Sequence, residues 1–152
     1  MEYASIEREL HIDASPEVVF EVISTPEHIR EWWDVHTEGD WVDGGHLAWR
    51  DEAGVEQHRT RFTVVETEPP RRFAFRWTHA DDETAAPGNS MLVTFDLVPA
   101  EGGTTLRFSE SGFRERGWEV AVLEAQYNDH VHGWDRFLPR VAALADRLAA
   151  AR

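Results

Sequence analysis

The segment GWEVAVLEAQYNDHVHGWDRFLPRVAALADRLA, Gly117 to Ala149, decides how this chain folds. Val120, Leu123, Tyr127, Val131, Trp134, Leu138, Val141, Ala145 and Leu148 recur at spacings of three and four, which predicts one long helix with a single buried stripe. Gly133 falls within that stripe, where glycine costs about 1 kcal/mol relative to alanine, so a close approach of backbone to a strand or a ligand is the expected reason for it. Pro139 removes a backbone donor and predicts a bend near Asp135 and Arg136. The first half, with His130 and Trp134, is then expected to face different surroundings from the second. Trp134 reads equally as core or as cavity wall.

Everything upstream has to supply the surface that this stripe covers. Ser5 to Asp13 alternates, with Ile6, Leu10 and Ile12 on one face, and reads as a strand. Arg8 falls on that apolar face and requires a carboxylate partner. Ser15-Pro16-Glu17 is a helix start, and Pro16 to Ser24 presents Val18, Val19, Val22 and Ile23 to one side. Thr25-Pro26-Glu27 repeats the start signal for a second short helix ending at Trp32-Trp33. From Glu38 the period becomes two. Trp41 to Leu47 and Asp51 to Gly54 carry turn chemistry, Val55 to Thr67 forms a long strand, and Pro69-Pro70 stops it. Phe73, Phe75 and Trp77 alternate with arginines and alanine in the next strand. His79 to Asn89 has no period and is expected to be a mobile loop. Ser90 to Val98 and Thr104 to Gly112 complete the strands. Leu106 and Phe108 share the inner face of the last one with Glu110, a carboxylate at the end of an apolar row. The order of one strand, two short helices, six strands and one long helix predicts an α+β domain: a curved antiparallel sheet of about seven strands wrapped on the C-terminal helix.

At 152 residues the chain reads as a single domain, 1–152. A net charge of −14 argues against nucleic acid and anionic membrane as partners, since both require a basic face. The absence of cysteine excludes disulfides and thiolate chemistry, and the absence of lysine closes Schiff-base mechanisms. No apolar run at the start suggests a signal or membrane segment, so a cytoplasmic location is expected. Seven tryptophans suit an oversized core or a pocket for an apolar ligand.

Several runs carry a resemblance. Ile12 to Phe20, Pro26 to Trp33, Val65 to Arg72, Gly102-Gly103-Thr104-Thr105-Leu106, Ser111-Gly112-Phe113 and His130-x-x-Gly133-Trp134 are similar in order and kind to the START-like (SRPBCC) superfamily. The branch they resemble is the single-domain group similar to the C-terminal domain of the activator of Hsp90 ATPase. The resemblance covers nearly the whole chain. It implies a helix-grip fold around a cavity for hydrophobic small molecules. No cofactor is expected. It does not imply chaperone stimulation, because the eukaryotic activator uses a second domain.

The residues themselves give little catalytic chemistry. His130 and His132 are two apart and point about 200° from each other on a helix, so they cannot share one ion, and no metal site is expected. Phe108-Ser109-Glu110-Ser111-Gly112 is not a nucleophile elbow. Glu110 with His130 is the one constellation suited to proton transfer at a pocket mouth. The alternative is that Glu110 is an acid satisfied by Arg8, Arg76 or solvent. Of the Trp32-Trp33 pair, Trp33 is the one expected in the pocket.

The expected function is non-catalytic binding of a lipid or polyketide-like molecule, by a monomer or homodimer. The cavity is expected to be lined by Trp33, His58, Phe62, Phe75, Trp77, Phe95, Phe108, Glu110, His130 and Trp134. One alternative is a polyketide cyclase or aromatase using Glu110 or His130. Another is a domain that contacts a chaperone or regulator through its acidic surface.

Overall fold

The computed structural model describes residues 2–39 and 43–152. β1 (Ser5–Ile12) leads into α1 (Pro16–Ser24) and α2 (Pro26–Trp33). Six strands follow: β2 (His36–Glu38), β3 (Gly44–Arg50), β4 (Glu56–Glu68), β5 (Arg72–His79), β6 (Met91–Ala100) and β7 (Gly103–Ser111). A 3-10 turn, Arg114–Arg116, then precedes α3 (Val120–Ala150). The spatial order is β1-β7-β6-β5-β4-β3-β2, antiparallel throughout, so β2 to β7 form a meander and β1 joins against β7. The sheet is curved and open, and the architecture is the expected α+β arrangement on a long C-terminal helix. The expected turn at Trp41 and Val42 lies outside the described residues.

Local chemistry explains the helix starts. Ser15 Oγ accepts from the Val18 N–H at 3.3 Å, and Pro16 opens α1 with its φ already set. Val18, Val19, Val22 and Ile23 are the buried face, as their spacing predicts. The second start differs from expectation. The Thr25 hydroxyl donates backwards to the Glu21 carbonyl, while the Thr25 carbonyl accepts from His28 and Ile29 at 3.1 and 3.0 Å. The threonine therefore joins α1 to α2 without a side-chain cap. Trp32 locks the junction by donating from Nε1 to the Val22 carbonyl at 2.9 Å.

The long helix begins three residues later than its pattern suggests. Gly117 takes φ +75° to end the 3-10 turn, and Val120, assigned to the stripe, is 71% exposed. The buried positions are Leu123, Trp134, Leu138, Val141, Leu144 and Ala145. Leu144 lies three residues from Val141 and widens the stripe where the helix crosses α1. Pro139 is exposed and stands inside an unbroken helix. Burial is therefore lopsided. The second half of α3 seals against α1 and α2, whereas Leu123 is the lone buried position before Trp134.

Arg8 finds the partner its inward position demands: Nε donates to Asp135 Oδ1 at 2.7 Å, tying β1 to α3. Tyr127 adds a second tie, its hydroxyl donating to the Ser5 carbonyl at 2.8 Å. No helix among the described residues is long and apolar enough to cross a membrane.

The lopsided burial sets two mutants apart. Leu138→Ala removes a fully packed side chain and is expected to cost about 2–5 kcal/mol. Val120→Ala is expected to stay within about 0.5 kcal/mol of the parent. Urea denaturation midpoints at constant slope measure both.

Candidate functional site

Between the first half of α3 and strands β3, β4 and β5 lies an open cleft of about 1050 Å³. A more open depression of about 620 Å³ at the start of α1 contains neither an aromatic ring nor a histidine. The cleft exists because sheet and helix diverge there. Glu56 to Arg59 of β4 are exposed, with no helix over them, and α3 is lightly buried opposite. Gly133 faces this space: a Cβ built on it would meet nothing within 4 Å. Close packing against a strand, one expected reason for this glycine, is therefore absent.

A bulge shapes the sheet side. The β4–β5 register shifts between Arg61 and Phe62, leaving Thr78 unpaired at φ +73°. That conformation is strained for a β-branched residue. It lets three successive residues, Trp77, Thr78 and His79, line one cleft. Two bonds hold it. The Thr78 N–H donates to Thr60 Oγ1 at 3.0 Å, and Thr78 Oγ1 accepts from Arg116 Nη1 at 3.2 Å. The following loop, expected to be mobile, is stitched down: Arg116 Nη1 donates to the Asn89 carbonyl at 2.7 Å and Asn89 Nδ2 to the Thr84 carbonyl at 2.9 Å.

The floor is a cluster of tryptophans. The Trp33 ring centroid lies 5.0 Å from Trp77, 5.1 Å from Trp134 and 5.9 Å from Trp49. Behind Trp33, Trp32 stacks at 5.3 Å and 6°.

Beneath this floor sits Glu110, wholly buried. Its Oε2 accepts from Trp77 Nε1 at 2.6 Å, and its Oε1 accepts from Trp134 Nε1 at 2.8 Å. His130 Nδ1 completes the set at 2.7 Å from Oε1. A buried carboxylate is tolerated only when paired and hydrogen-bonded, and three donors satisfy this one. The arginine partners considered for it lie elsewhere: Arg8 is on Asp135, and Arg76 donates to Ser90 Oγ at 3.4 Å. With Nδ1 facing the carboxylate, Nε2 is the His130 nitrogen left for the cleft. Such a carboxylate–imidazole pair fixes the tautomer and orients the ring.

Two histidines, the buried His79 and the partly buried His130, shift in opposite directions. Burial pulls His130 down, but the hydrogen bond and charge of Glu110, helped by Asp129, outweigh it, so its pKa lies above the usual histidine value. Burial and then Arg61 push His79 below that value.

Of the residues expected to line a cavity, Trp33, His58, Trp77, His130 and Trp134 border the cleft. Phe62, Phe75, Phe95 and Phe108 do not. All four are at most 2% exposed, packed among themselves and under Trp32, Trp33 and Trp134. Strand alternation gives one inner face but not which part of it the helices cover. Glu110 lies behind the wall and reaches the cleft through His130. The sequence reading missed Trp49, Arg116, Trp118 and Phe137 as cleft residues. Trp49 carried a signal in the period-two run of β3, whereas Arg116 sits in a turn without any.

A curved antiparallel sheet gripping a long C-terminal helix, with a cleft between them, is the START-like arrangement. Residues 13–146 match the family described as Activator of Hsp90 ATPase homolog 1-like protein, and the chain belongs to that family. Among solved structures it is similar to protein MLL2253 from Mesorhizobium loti, at 23% identity and TM-score 0.71 over 94% of this chain and 97% of that one. It is also similar to Aha1 from Colwellia psychrerythraea, solved in solution as a dimer, at 23% identity and TM-score 0.67 over 93% and 96%. A third is DynU16 of the dynemicin biosynthetic locus, at 20% identity and TM-score 0.64 over 92% of this chain and 46% of that one. At these identities the likeness shows the fold. No curated protein matches the sequence.

The opposed shifts predict a titration order. Histidine NMR signals should place His130 above about 6.5 and His79 below it. A raised folded-state value means that the His130–Glu110 contribution is fully present below about 6.5 and is lost as pH rises through the folded value. The stability difference between the parent and His130→Gln should accordingly shrink across that window, as read by thermal melts. Glu110→Ala strands three buried donors and is expected to cost about 3–5 kcal/mol at neutral pH.

Proposed function

We propose that this protein binds a hydrophobic small molecule, lipid or polyketide-like, in the cleft between the sheet and the first half of α3, without transforming it. The observation that carries this reading is the open cleft of about 1050 Å³ over a continuous tryptophan floor. Trp49 and Trp118 are half-buried at the cleft and keep ring surface that a ligand would withdraw from water, while Trp33, Trp77 and Trp134 present only the few per cent of their surface left uncovered. Each 100 Å² of apolar ligand surface withdrawn from water contributes about 2.5 kcal/mol. Trp33, Trp49, Trp77 and Trp134 contact the ligand body, His130 Nε2 orients it, and His58 stands at the rim. Phe62, Phe75, Phe95 and Phe108 support the floor from behind. Members of this family commonly bind hydrophobic ligands, which supports the reading.

A second reading, an enzyme of the cyclase or aromatase kind, draws on one observation. Glu110 holds His130 Nδ1 at 2.7 Å while Nε2 is left for the cleft, the geometry of a general acid–base. One similar structure, DynU16, comes from a biosynthetic locus. Deuterium exchange at the acidic C–H of an added aromatic 1,3-dicarbonyl separates the readings. Exchange that disappears in Glu110→Gln, with affinity retained, favours catalysis.

Binding itself is tested at Gly133. N-phenyl-1-naphthylamine, a neutral apolar fluorophore, should bind saturably at one site. Gly133→Phe should cut its affinity at least tenfold with an unchanged circular dichroism spectrum, because the ring has open space to enter. Gly133→Ala should stabilise the helix by about 0.5–1 kcal/mol. Fluorophore binding indifferent to Gly133→Phe, together with no small molecule carried through native mass spectrometry, would refute the proposal.

A further inference from the structure

The cationic groups of the cleft are arranged unevenly. Arg59 is committed to Glu38 and Glu56, at 2.5 and 3.4 Å. Arg116 has no carboxylate partner among the described residues. Its Nη1 is spent on two neutral oxygens, Thr78 Oγ1 and the Asn89 carbonyl, and its guanidinium lies 4.9 Å over the Trp118 ring. Nε and Nη2 donate to no group among the described residues. The side chain is half-buried and fixed at three points, so its conformational entropy is already reduced in the absence of a ligand. One of those points is the strained Thr78 bulge. Strain of this kind, maintained by a dedicated pair of hydrogen bonds, marks a position with a task.

Neither of the two acids bordering the cleft forms an ion pair with this cation. Glu83 Oε1 accepts from the Ala80 N–H at 3.0 Å, and Asp129 acts on His130. Thr78, which anchors Arg116, follows Trp77, whose ring lies 5.3 Å from His130. A fixed guanidinium and an imidazole held by a buried carboxylate therefore share a cleft with stacked indoles. Guanidinium is planar and weakly hydrated, and it suits a delocalised oxyanion better than a point charge.

Building on the reading of the cleft as a binding site, we propose that its ligand is a planar conjugated oxyanion, a carboxylate, enolate or phenolate, with its rings on the tryptophans and its charged oxygen on Arg116 and His130. The chain's charge of −14 disfavours small acids in general, so preference for an anion has to come from these local groups.

Competition of 2-naphthoate and 2-naphthamide against N-phenyl-1-naphthylamine tests this, since the two share a ring system and differ in charge. Naphthoate should bind at least tenfold more tightly. Arg116→Gln should abolish that margin while leaving the amide's affinity unchanged, which also shows the cleft intact. Arg116→Lys should retain part of the margin, and Arg71→Gln, on the surface away from the cleft, all of it. Equal affinities for acid and amide, or a margin that survives Arg116→Gln, overturns the anion proposal and leaves the cleft as a neutral site. Equal loss of both ligands in Arg116→Gln also counts against it, because Arg116 then acts by holding the loop. Failure of both ligands to compete while the fluorophore stays bound likewise overturns it, whereas a fluorophore that does not bind either removes the cleft reading on which it rests.

Discussion

A carboxylate with no exposure to water, held by two indoles and an imidazole, is the interaction on which the rest of this molecule depends. Glu110 stands on β7, Trp77 on β5, and His130 and Trp134 on α3, so three hydrogen bonds of 2.6 to 2.8 Å join two strands to one helix at a single point. Burying a charge is expensive, and an incomplete donor set would make the site a liability. The complete set turns that cost into specificity, because only one placement of α3 on the sheet brings all three donors to the carboxylate. An aliphatic residue at this position could pack, but it would accept any nearby registration of the helix.

That placement explains why the structure is solid at one end and open at the other. Beyond Trp134 the helix descends onto α1 and α2, where Leu138, Val141, Leu144 and Ala145 close the interior. Before it, Tyr127 ties the helix to β1, and no hydrogen bond among the described residues draws it toward β4. The exposed start of β4 and the glycine at 133 keep the gap open. The tryptophans span the boundary, with Trp32 inside, Trp33, Trp77 and Trp134 forming the partition, and Trp49 half-buried beyond it. An aromatic partition suits such a boundary because a large ring gives one face to the core and the other to a guest.

The succession of strands and helices along the chain and the inner faces were legible in the sequence because each rests on a local period, whereas the pairing of β1 with β7 rests on none. Phe73, Phe75 and Trp77 announce their strand, and Val18, Val19, Val22 and Ile23 their helix. The chemistry of Glu110 was legible only in part. An acid ending an apolar row has to be satisfied, but its donors come from residues 77, 130 and 134, and indole N–H groups carry no charge pattern to signal them. The division of aromatics between core and cleft was not legible. Phe95 and Trp77 have the same alternation, and what separates them is which stretch of sheet the helices reach. Arg116 was invisible for another reason, since its role depends on a bulge at Thr78, and a bulge-forming threonine looks like any strand threonine.

The carboxylate also couples architecture to whatever enters the cleft. His130 is the one donor of the three that touches both sides of the partition, with Nδ1 on Glu110 and Nε2 left for a guest. A ligand oxygen accepting from Nε2 favours the cationic ring, and a cationic ring strengthens its bond to Glu110, so the two hydrogen bonds reinforce each other through the imidazole. The indoles cannot relay in this way, since each has a single N–H and it is already spent. Of the three donors to Glu110, only His130 can therefore carry a polar response from the cleft to the buried carboxylate. In the proposed binding mode, flat apolar molecules would be told apart by the oxygen they carry and where it sits relative to the ring plane. Such selectivity is compatible with a floor that accepts many ring shapes.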